Sequence, residues 1–182
     1  MEGFKILTDE TFLDENFDLS NNIVDNVYWY FIGVSRDNEL SLMDSLTYCE
    51  SPIEQIMSME LTRTVLEAHI PELVEVIEIE RQKTITIGEK TYRVDFAIPV
   101  KYWDSEKTYI IECDGHEFHQ KTKVQVERDN SRMRDLQSAG YTVIRFSGSE
   151  IYHKPGKCAW EVRNIIQAPA IKFIERMLKN GT

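Results

Sequence analysis

Polar and apolar residues alternate through the middle of the chain, where isoleucine and valine are interleaved with charged residues in residues 74–87 and again in residues 91–98. Such alternation is typical of strands, here one long strand or two short ones and then another, with residues 88–90 as the turn. A loop through Pro99 leads to residues 108–113, whose apolar centre indicates a buried strand. The pattern therefore predicts a three-stranded meander.

Helical signals precede the meander. Ser51, Pro52 and Glu54 supply an N-cap serine, a proline at the first helical position and an acid at the third, so a helix is predicted to begin at Pro52. Further upstream, apolar residues recur at nearly helical spacing within an acidic segment. We therefore divide the chain into a helical, acidic N-terminal extension, residues 1–45, and a single domain, residues 46–182.

The segment after the meander is basic and helical over residues 122–139, with Gly140 placed to cap the C-terminus of the helix. Residues 141–146 alternate as a fourth strand, and two helical stretches, 157–167 and 169–179, follow. The order of helix, three-strand meander, helix and strand, with extra N-terminal and C-terminal helices, predicts an α/β protein.

The composition excludes several classes of protein. The 182 residues are 42% hydrophobic, too apolar for a disordered acidic tail, and the apolar runs stop well short of the ~20 residues that a membrane span needs. The amino terminus lacks the basic and apolar stretches of a secretory signal, and the three cysteines form no CxxC pair. We therefore expect a cytoplasmic protein with reduced thiols and no membrane partner.

The formal net charge of −10 is unevenly distributed. Residues 1–60 contain 13 acids and 2 bases, residues 61–119 contain 12 and 7, and residues 120–182 contain 6 and 12. Because affinity for a polyanion comes mainly from lysine and arginine, the basic final third keeps nucleic acid open as a partner. A solvated basic helix face explains the same bases equally well.

Three carboxylates stand at strand positions, where acids are disfavoured. Asp95 lies among apolar residues, and Glu112 and Asp114 flank Cys113 at the end of the next strand. Alternation places the last two acids on one side of their strand, and antiparallel pairing brings Asp95 beside them. Crowded carboxylates need a cation or basic partners. We expect Mg²⁺, which prefers oxygen ligands, or Mn²⁺ in its place.

These residues and the order of elements resemble the PD-(D/E)XK nuclease superfamily, which has an Asp on the second strand and (Glu or Asp)-x-Lys on the third. The closer resemblance is to very short patch repair endonucleases and related bacterial proteins with an Ile-Glu-x-Asp-Gly-x-x-x-His segment, which residues 111–119 match. Residues 128–129 and 140–146 match as well. The resemblance covers residues 50–166 and implies a restriction-endonuclease-like core that hydrolyses DNA.

The resemblance also implies roles for individual residues. Asp95, Glu112 and the Cys113 carbonyl would hold the metal ion, with Asp114 as another ligand or as an orienting residue. His119 would serve as general base or proton shuttle, because an imidazole titrates near neutral pH.

A further catalytic carboxylate from the preceding helix would be Glu54. Simpler interpretations remain open, with Glu54 as a capping-box partner and His119 as a hydrogen-bonding residue at the strand end. Gln82 either contacts the site from the first strand or packs at the edge of the core, and Arg145 is placed to pair with Glu150.

One departure from the superfamily is Asp114, which occupies the position of the usual lysine. Lys121 or Lys123 is a candidate to supply the missing positive group from the following helix. The segment 116–119 lacks the HExxH spacing of zinc proteases, whereas a structural zinc site formed by its two histidines with Asp114 stays open.

Candidate nucleic-acid-binding residues lie in and before the basic helix, and they are His116, Lys121, Lys123, Arg128 and Arg132. We therefore predict a Mg²⁺-dependent endonuclease acting on double-stranded DNA in repair, restriction or phage DNA processing. A catalytically inactive nuclease fold that binds DNA or protein is the alternative. The acidic residues 1–45 are a candidate DNA mimic that covers the basic groove. The sequence leaves open a homodimer and an unidentified protein partner.

Overall fold

The structure is a computed structural model that describes residues 48–66, 68–115 and 122–180. The N-terminal extension lies outside the described residues, as do His116, His119 and Lys121. What the sequence predicts for these positions therefore stays a prediction.

Helices and strands follow one another in the predicted order, except that a short helix, Gly148–His153, which the sequence did not predict, follows the last strand. In the described residues they are α1 (Pro52–Val65), β1 (Val74–Val76), β2 (Glu80–Ile87), β3 (Lys90–Tyr102), β4 (Glu106–Asp114), α2 (Lys123–Ser138), β5 (Thr142–Ser147), α3 (Gly148–His153) and α4 (Pro155–Asn180). No helix of this part of the chain is long and apolar enough to cross a membrane.

A single mixed sheet organises these elements. β3 pairs antiparallel with β4 along one edge, while β1 and β2 follow each other along the opposite edge. β5 lies beside β4 and parallel to it, because α2 carries the chain back across the sheet between the two strands. The α/β architecture of helix, meander, helix and strand is confirmed.

The start of α1 shows why the chain becomes helical there. Ser51 has extended backbone angles and its Oγ accepts the N–H of Glu54, while Pro52 occupies the first helical position. Met57 and Leu61 then belong to the buried core, and α1 packs against α4, from which Gln167 donates to the carbonyl of Ala68. The predicted helix start at Pro52 is confirmed.

Two predicted element boundaries are wrong. The sequence placed Pro99 in a loop, but β3 continues through it. The proline is tolerated because its backbone N and carbonyl face the gap between β1 and β2. There its carbonyl accepts the N–H of Ile77 at 3.0 Å, and the missing proline N–H interrupts no strand pairing. The two predicted C-terminal helices form a single helix, α4, that continues through Pro169. Ile166 and Ala170, both fully buried, hold it by packing across the proline.

The alternation of sides along β3 is interrupted at Asp95. Val94 and Ala97 belong to one buried cluster with Leu136 of α2, although residues three apart in a strand normally face opposite sides. The pairing of β2 with β3 omits the position where Gln82 would oppose Asp95, and Gln82 has a φ of 49°. A left-handed backbone at a non-glycine residue is strained, and such residues cluster at functional sites.

Candidate active site

Asp95 of β3 and Glu112 of β4 stand just beyond the last pair of their antiparallel ladder, which is Phe96 with Ile111. The two acids are close enough for the charge of Glu112 to raise the pKa of Asp95. The backbone N–H of Cys113 donates to Asp95 Oδ2 at 2.7 Å, so the end of β4 fixes the Asp95 side chain. In an extended strand the carbonyl of a residue points to the same edge as its N–H, so the Cys113 carbonyl faces β3 as well.

Among the three carboxylates, Asp95 has the most clearly shifted pKa. Burial raises its pKa to about 6, and the neighbouring charges of Glu112 and Glu54 act in the same direction. The hydrogen bond from the Cys113 N–H and the positive charge of Arg132 lower the pKa of Asp95, but by less than burial raises it. Within the described residues, Asp95 Oδ1 accepts no hydrogen bond. Negative charge at Asp95 is therefore undercompensated, which is the electrostatic condition that a cation relieves.

Glu112 is buried and paired with Arg132 of α2. Arg132 Nη1 donates to Oε2 at 3.0 Å and Nη2 to Oε1 at 2.7 Å, which forms a bidentate ion pair. Burial raises the pKa of Glu112, and Arg132 acts in the opposite direction. Arg132 Nη2 also donates to the carbonyl of Arg93 at 2.6 Å, so its guanidinium bridges α2 to both β4 and β3.

Asp114 is paired with a second arginine, Arg145 of β5. Arg145 Nε donates to Oδ2 at 2.9 Å, Nη2 donates to Oδ1, and this contact raises the pKa of Arg145. The predicted pair of Arg145 with Glu150 is wrong, because Glu150 Oε2 instead accepts the N–H and the hydroxyl of Ser147 as the capping box of α3. An arginine inside an otherwise apolar strand was a usable signal, since it needs a nearby acid.

Glu54 lies in the first turn of α1, next to the N-cap Ser51 and close enough to the site to act on Asp95. Its Oε1 accepts the Ser51 hydroxyl at 2.8 Å, and its Oε2 accepts the Glu50 N–H at 2.9 Å and Gln82 Nε2 at 2.6 Å. Its charge is felt at Asp95, whose pKa it raises. The Glu54 side chain thus accepts the Glu50 N–H where a capping box would use the Ser51 N–H, and Gln82 contacts the site through Glu54.

The basic residues of α2 separate into two groups. Arg132 lies inside the site on Glu112, whereas Lys123 and Arg128 are exposed on the first turns of the helix. At the other end of α2, Asp135 binds Lys90 and Tyr92 of the β2–β3 hairpin. The sequence did not identify the arginine pairing of Glu112, because the contact joins residues 20 positions apart.

The oxygen donors suit a hard divalent cation, which binds carboxylates and carbonyl oxygens. The undercompensated charge at Asp95 supports this fit. Among the described side chains, however, no group of three or more His, Cys, Asp or Glu is arranged as a ready metal site. Glu112 and Asp114 are each turned toward an arginine. A cation at these residues would therefore share their oxygens with the arginines or displace them.

Comparison with known proteins gives one match. A model of a restriction endonuclease-like family, REase_MTES_1575, matches residues 73–166, which is just over half of the chain and includes the three carboxylates and both arginines. No curated protein and no solved structure gave a significant match. Together with the observed architecture, the family match confirms the restriction-endonuclease-like core. The narrower resemblance to very short patch repair endonucleases stays a prediction.

Proposed function

Since the chain belongs to the restriction endonuclease-like family REase_MTES_1575, we propose that it is a divalent-metal-dependent endonuclease that hydrolyses DNA phosphodiester bonds. Double-stranded DNA is the proposed substrate and Mg²⁺ or Mn²⁺ the proposed ion. The observation that carries the proposal is the position of Asp95 beside Glu112 and the Cys113 backbone, where the pairing of β3 with β4 ends.

The proposed ligands of the ion are Asp95, Glu112, Asp114 and the Cys113 carbonyl. A bound divalent ion would lower the pKa of a water molecule and neutralise charge growing on the phosphate. Asp95 is held for this role by the Cys113 N–H, which bonds Oδ2, and Oδ1 accepts no hydrogen bond from the part of the chain that the structure describes. Burial of Glu112 keeps bulk water away from one side of the site and strengthens the electrostatic interactions within it.

The proton-transfer role is assigned to His119, five residues after the end of β4. Glu54, oriented by Gln82 and by the cap of α1, would add negative charge near Asp95 and support cation binding. Asp114 occupies the position where the superfamily pattern has a lysine, and Arg145 is paired with it. Arg145 would supply the positive charge that the pattern places there.

DNA binding is assigned to the basic helix and to the residues before it. Lys123 and Arg128 are exposed and can neutralise phosphates, and His116 and Lys121 precede them in the chain. Arg128 lies one turn before Arg132, which contacts Glu112, so both project on one face of α2.

The proposal is tested by incubating the full chain with supercoiled plasmid and with single-stranded DNA, in Mg²⁺, Mn²⁺ or EDTA. Nicking that requires the metal and is lost in Asp95→Ala and Glu112→Ala is the expected result. Cleavage that persists in both variants would point to a contaminating nuclease and overturn the proposal.

A second candidate is a nuclease fold that binds DNA without cleaving it. It is favoured by one specific observation: arginines neutralise two of the three carboxylates, as they would in a site that never receives an ion. Calorimetric titration with Mn²⁺ separates the candidates. Binding by the parent chain that Asp95→Ala removes supports the nuclease, and the absence of binding supports the non-catalytic module.

A further inference from the structure

Of the two ion pairs that the described residues form at the site, Glu112 with Arg132 has the more deeply buried carboxylate. The Glu112 side chain is 8% exposed and the Arg132 side chain 27% exposed, and both carboxylate oxygens accept from the guanidinium. A buried carboxylate requires a compensating positive charge. Arg132 supplies that charge, and it occupies both oxygens of Glu112, which are those that a metal ion would bind.

Arg132 has a second anchor that does not depend on Glu112. Its Nη2 donates to the carbonyl of Arg93 at 2.6 Å, and its backbone belongs to α2. If the carboxylate turned away, the guanidinium would keep this contact and stay at the edge of the site. Arg128 stands one helical turn before it, so the released charge would extend a row of positive charge on α2.

We propose that Arg132 is a displaceable counter-ion: it neutralises Glu112 in the metal-free protein, separates from Glu112 when a divalent cation binds, and then binds a phosphate of DNA. This inference rests on the proposed nuclease function and adds a coupling between metal binding and DNA binding. The physical reason is that a dication on Glu112 and a guanidinium repel each other at close range. A phosphate placed near Arg132 restores the charge balance.

The first test is calorimetric titration of Mn²⁺ into the full chain without DNA, comparing Arg132→Gln with Arg134→Gln. Both variants lose one positive charge from α2, but Arg134 is exposed and Arg132 is bound to Glu112. Arg132→Gln is expected to bind Mn²⁺ at least about fivefold more tightly than Arg134→Gln, because the competitor for Glu112 is gone. Arg132→Lys, which cannot form the bidentate pair, should fall between them.

Thermal unfolding shows whether each variant is folded. In EDTA, Arg132→Gln should melt below Arg134→Gln, because Glu112 loses its counter-ion, and Mn²⁺ should raise its melting temperature by more than it raises that of the control. An equal rise in both variants would contradict the proposed competition.

The second test measures affinity for a labelled DNA duplex by fluorescence anisotropy, with EDTA and with Ca²⁺. The parent chain should bind more tightly with Ca²⁺, and Arg132→Gln should lose most of that gain while Arg134→Gln keeps it. Equal or weaker Mn²⁺ binding by Arg132→Gln than by Arg134→Gln would overturn the inference, even if the protein cleaves DNA. Tighter Mn²⁺ binding in a protein that cleaves no DNA would leave the inference standing and overturn the proposed function.

Discussion

The carboxylate of Asp95 accepts the backbone N–H of Cys113 at 2.7 Å, which joins two strands of the sheet beyond the last pair of their ladder. This bond holds Asp95 beside Glu112, although both groups are acids and each is partly or wholly buried. The arrangement is unfavourable for folding without a cation, because charge is held in a region that water does not fully solvate. The buried charges lower the free energy of unfolding, and a bound cation would reduce this penalty.

Replacing Asp95 by Asn is expected to stabilise the metal-free protein at neutral and alkaline pH. The folded pKa of about 6 exceeds the unfolded value near 3.9, so the stability of the parent falls as pH rises between these two values and stays lower above them. The shift corresponds to about 3 kcal/mol. Asn keeps an oxygen for the Cys113 N–H and carries no charge.

The measurement is thermal unfolding in EDTA at pH 4 and at pH 8. The Asn variant should melt several degrees above the parent at pH 8, and the difference should shrink at pH 4. Asp104→Asn, in the exposed turn before β4, should show neither effect. An Asn variant less stable than the parent at pH 8 would refute the electrostatic account of Asp95.

Replacing Arg145 by Gln should lower the free energy of unfolding by about 2 kcal/mol, because Asp114 would lose its partner while remaining largely buried. Adding Asp114→Asn should recover part of the loss, with a coupling of about 1–2 kcal/mol in a double-mutant cycle measured by urea unfolding. The exposed pair of Lys157 with Glu161, at 3.7 Å, provides the control, and Lys157→Gln should cost less than about 0.5 kcal/mol. Additive effects of the Arg145 and Asp114 changes would show that the pair is not energetically coupled.

Gln82 offers a test of backbone strain next to the site. With a φ of 49°, this position suits glycine better than alanine, although alanine is normally the better strand residue of the two. Both Gln82→Gly and Gln82→Ala remove the amide that binds Glu54, so their difference isolates the backbone. Chemical unfolding should show the Gly variant to be more stable by about 1 kcal/mol. The reverse order would exclude a left-handed backbone at this position.

Much of the fold could be predicted because local signals agree with it. The cap at Ser51, the turn at residues 88–90 and the glycine after α2 each mark a boundary that the structure confirms, with positive φ at Gly88 and Gly140. The two boundaries at Pro99 and Pro169 were predicted wrongly. A strand accommodates Pro99 because it faces a gap between two other strands, and a helix accommodates Pro169 because buried residues pack on both sides of it. Neither condition can be read from neighbouring residues.

The acids of the candidate site could be identified from the sequence, whereas the arginines that pair with them could not. Asp95, Glu112 and Asp114 stand out because carboxylates in apolar strands need an explanation, and the antiparallel register followed from a short connection. Arg132 and Arg145 bind these acids across 20 and 31 positions, and choosing their partners requires the geometry of the helix crossover and of the parallel strand. Sequence spacing assigned Arg132 to DNA alone and Arg145 to Glu150.

The central claim, metal-dependent DNA hydrolysis at Asp95 and Glu112, is tested most directly by the single-turnover cleavage rate of a labelled duplex in Mg²⁺. Glu112→Gln is compared with Glu106→Gln, the same change at an exposed position of the same strand. The account predicts a rate at least about a hundredfold lower for Glu112→Gln, an unchanged rate for Glu106→Gln, and no cleavage by any chain in EDTA. Equal rates for the two variants, or cleavage in EDTA, would contradict it.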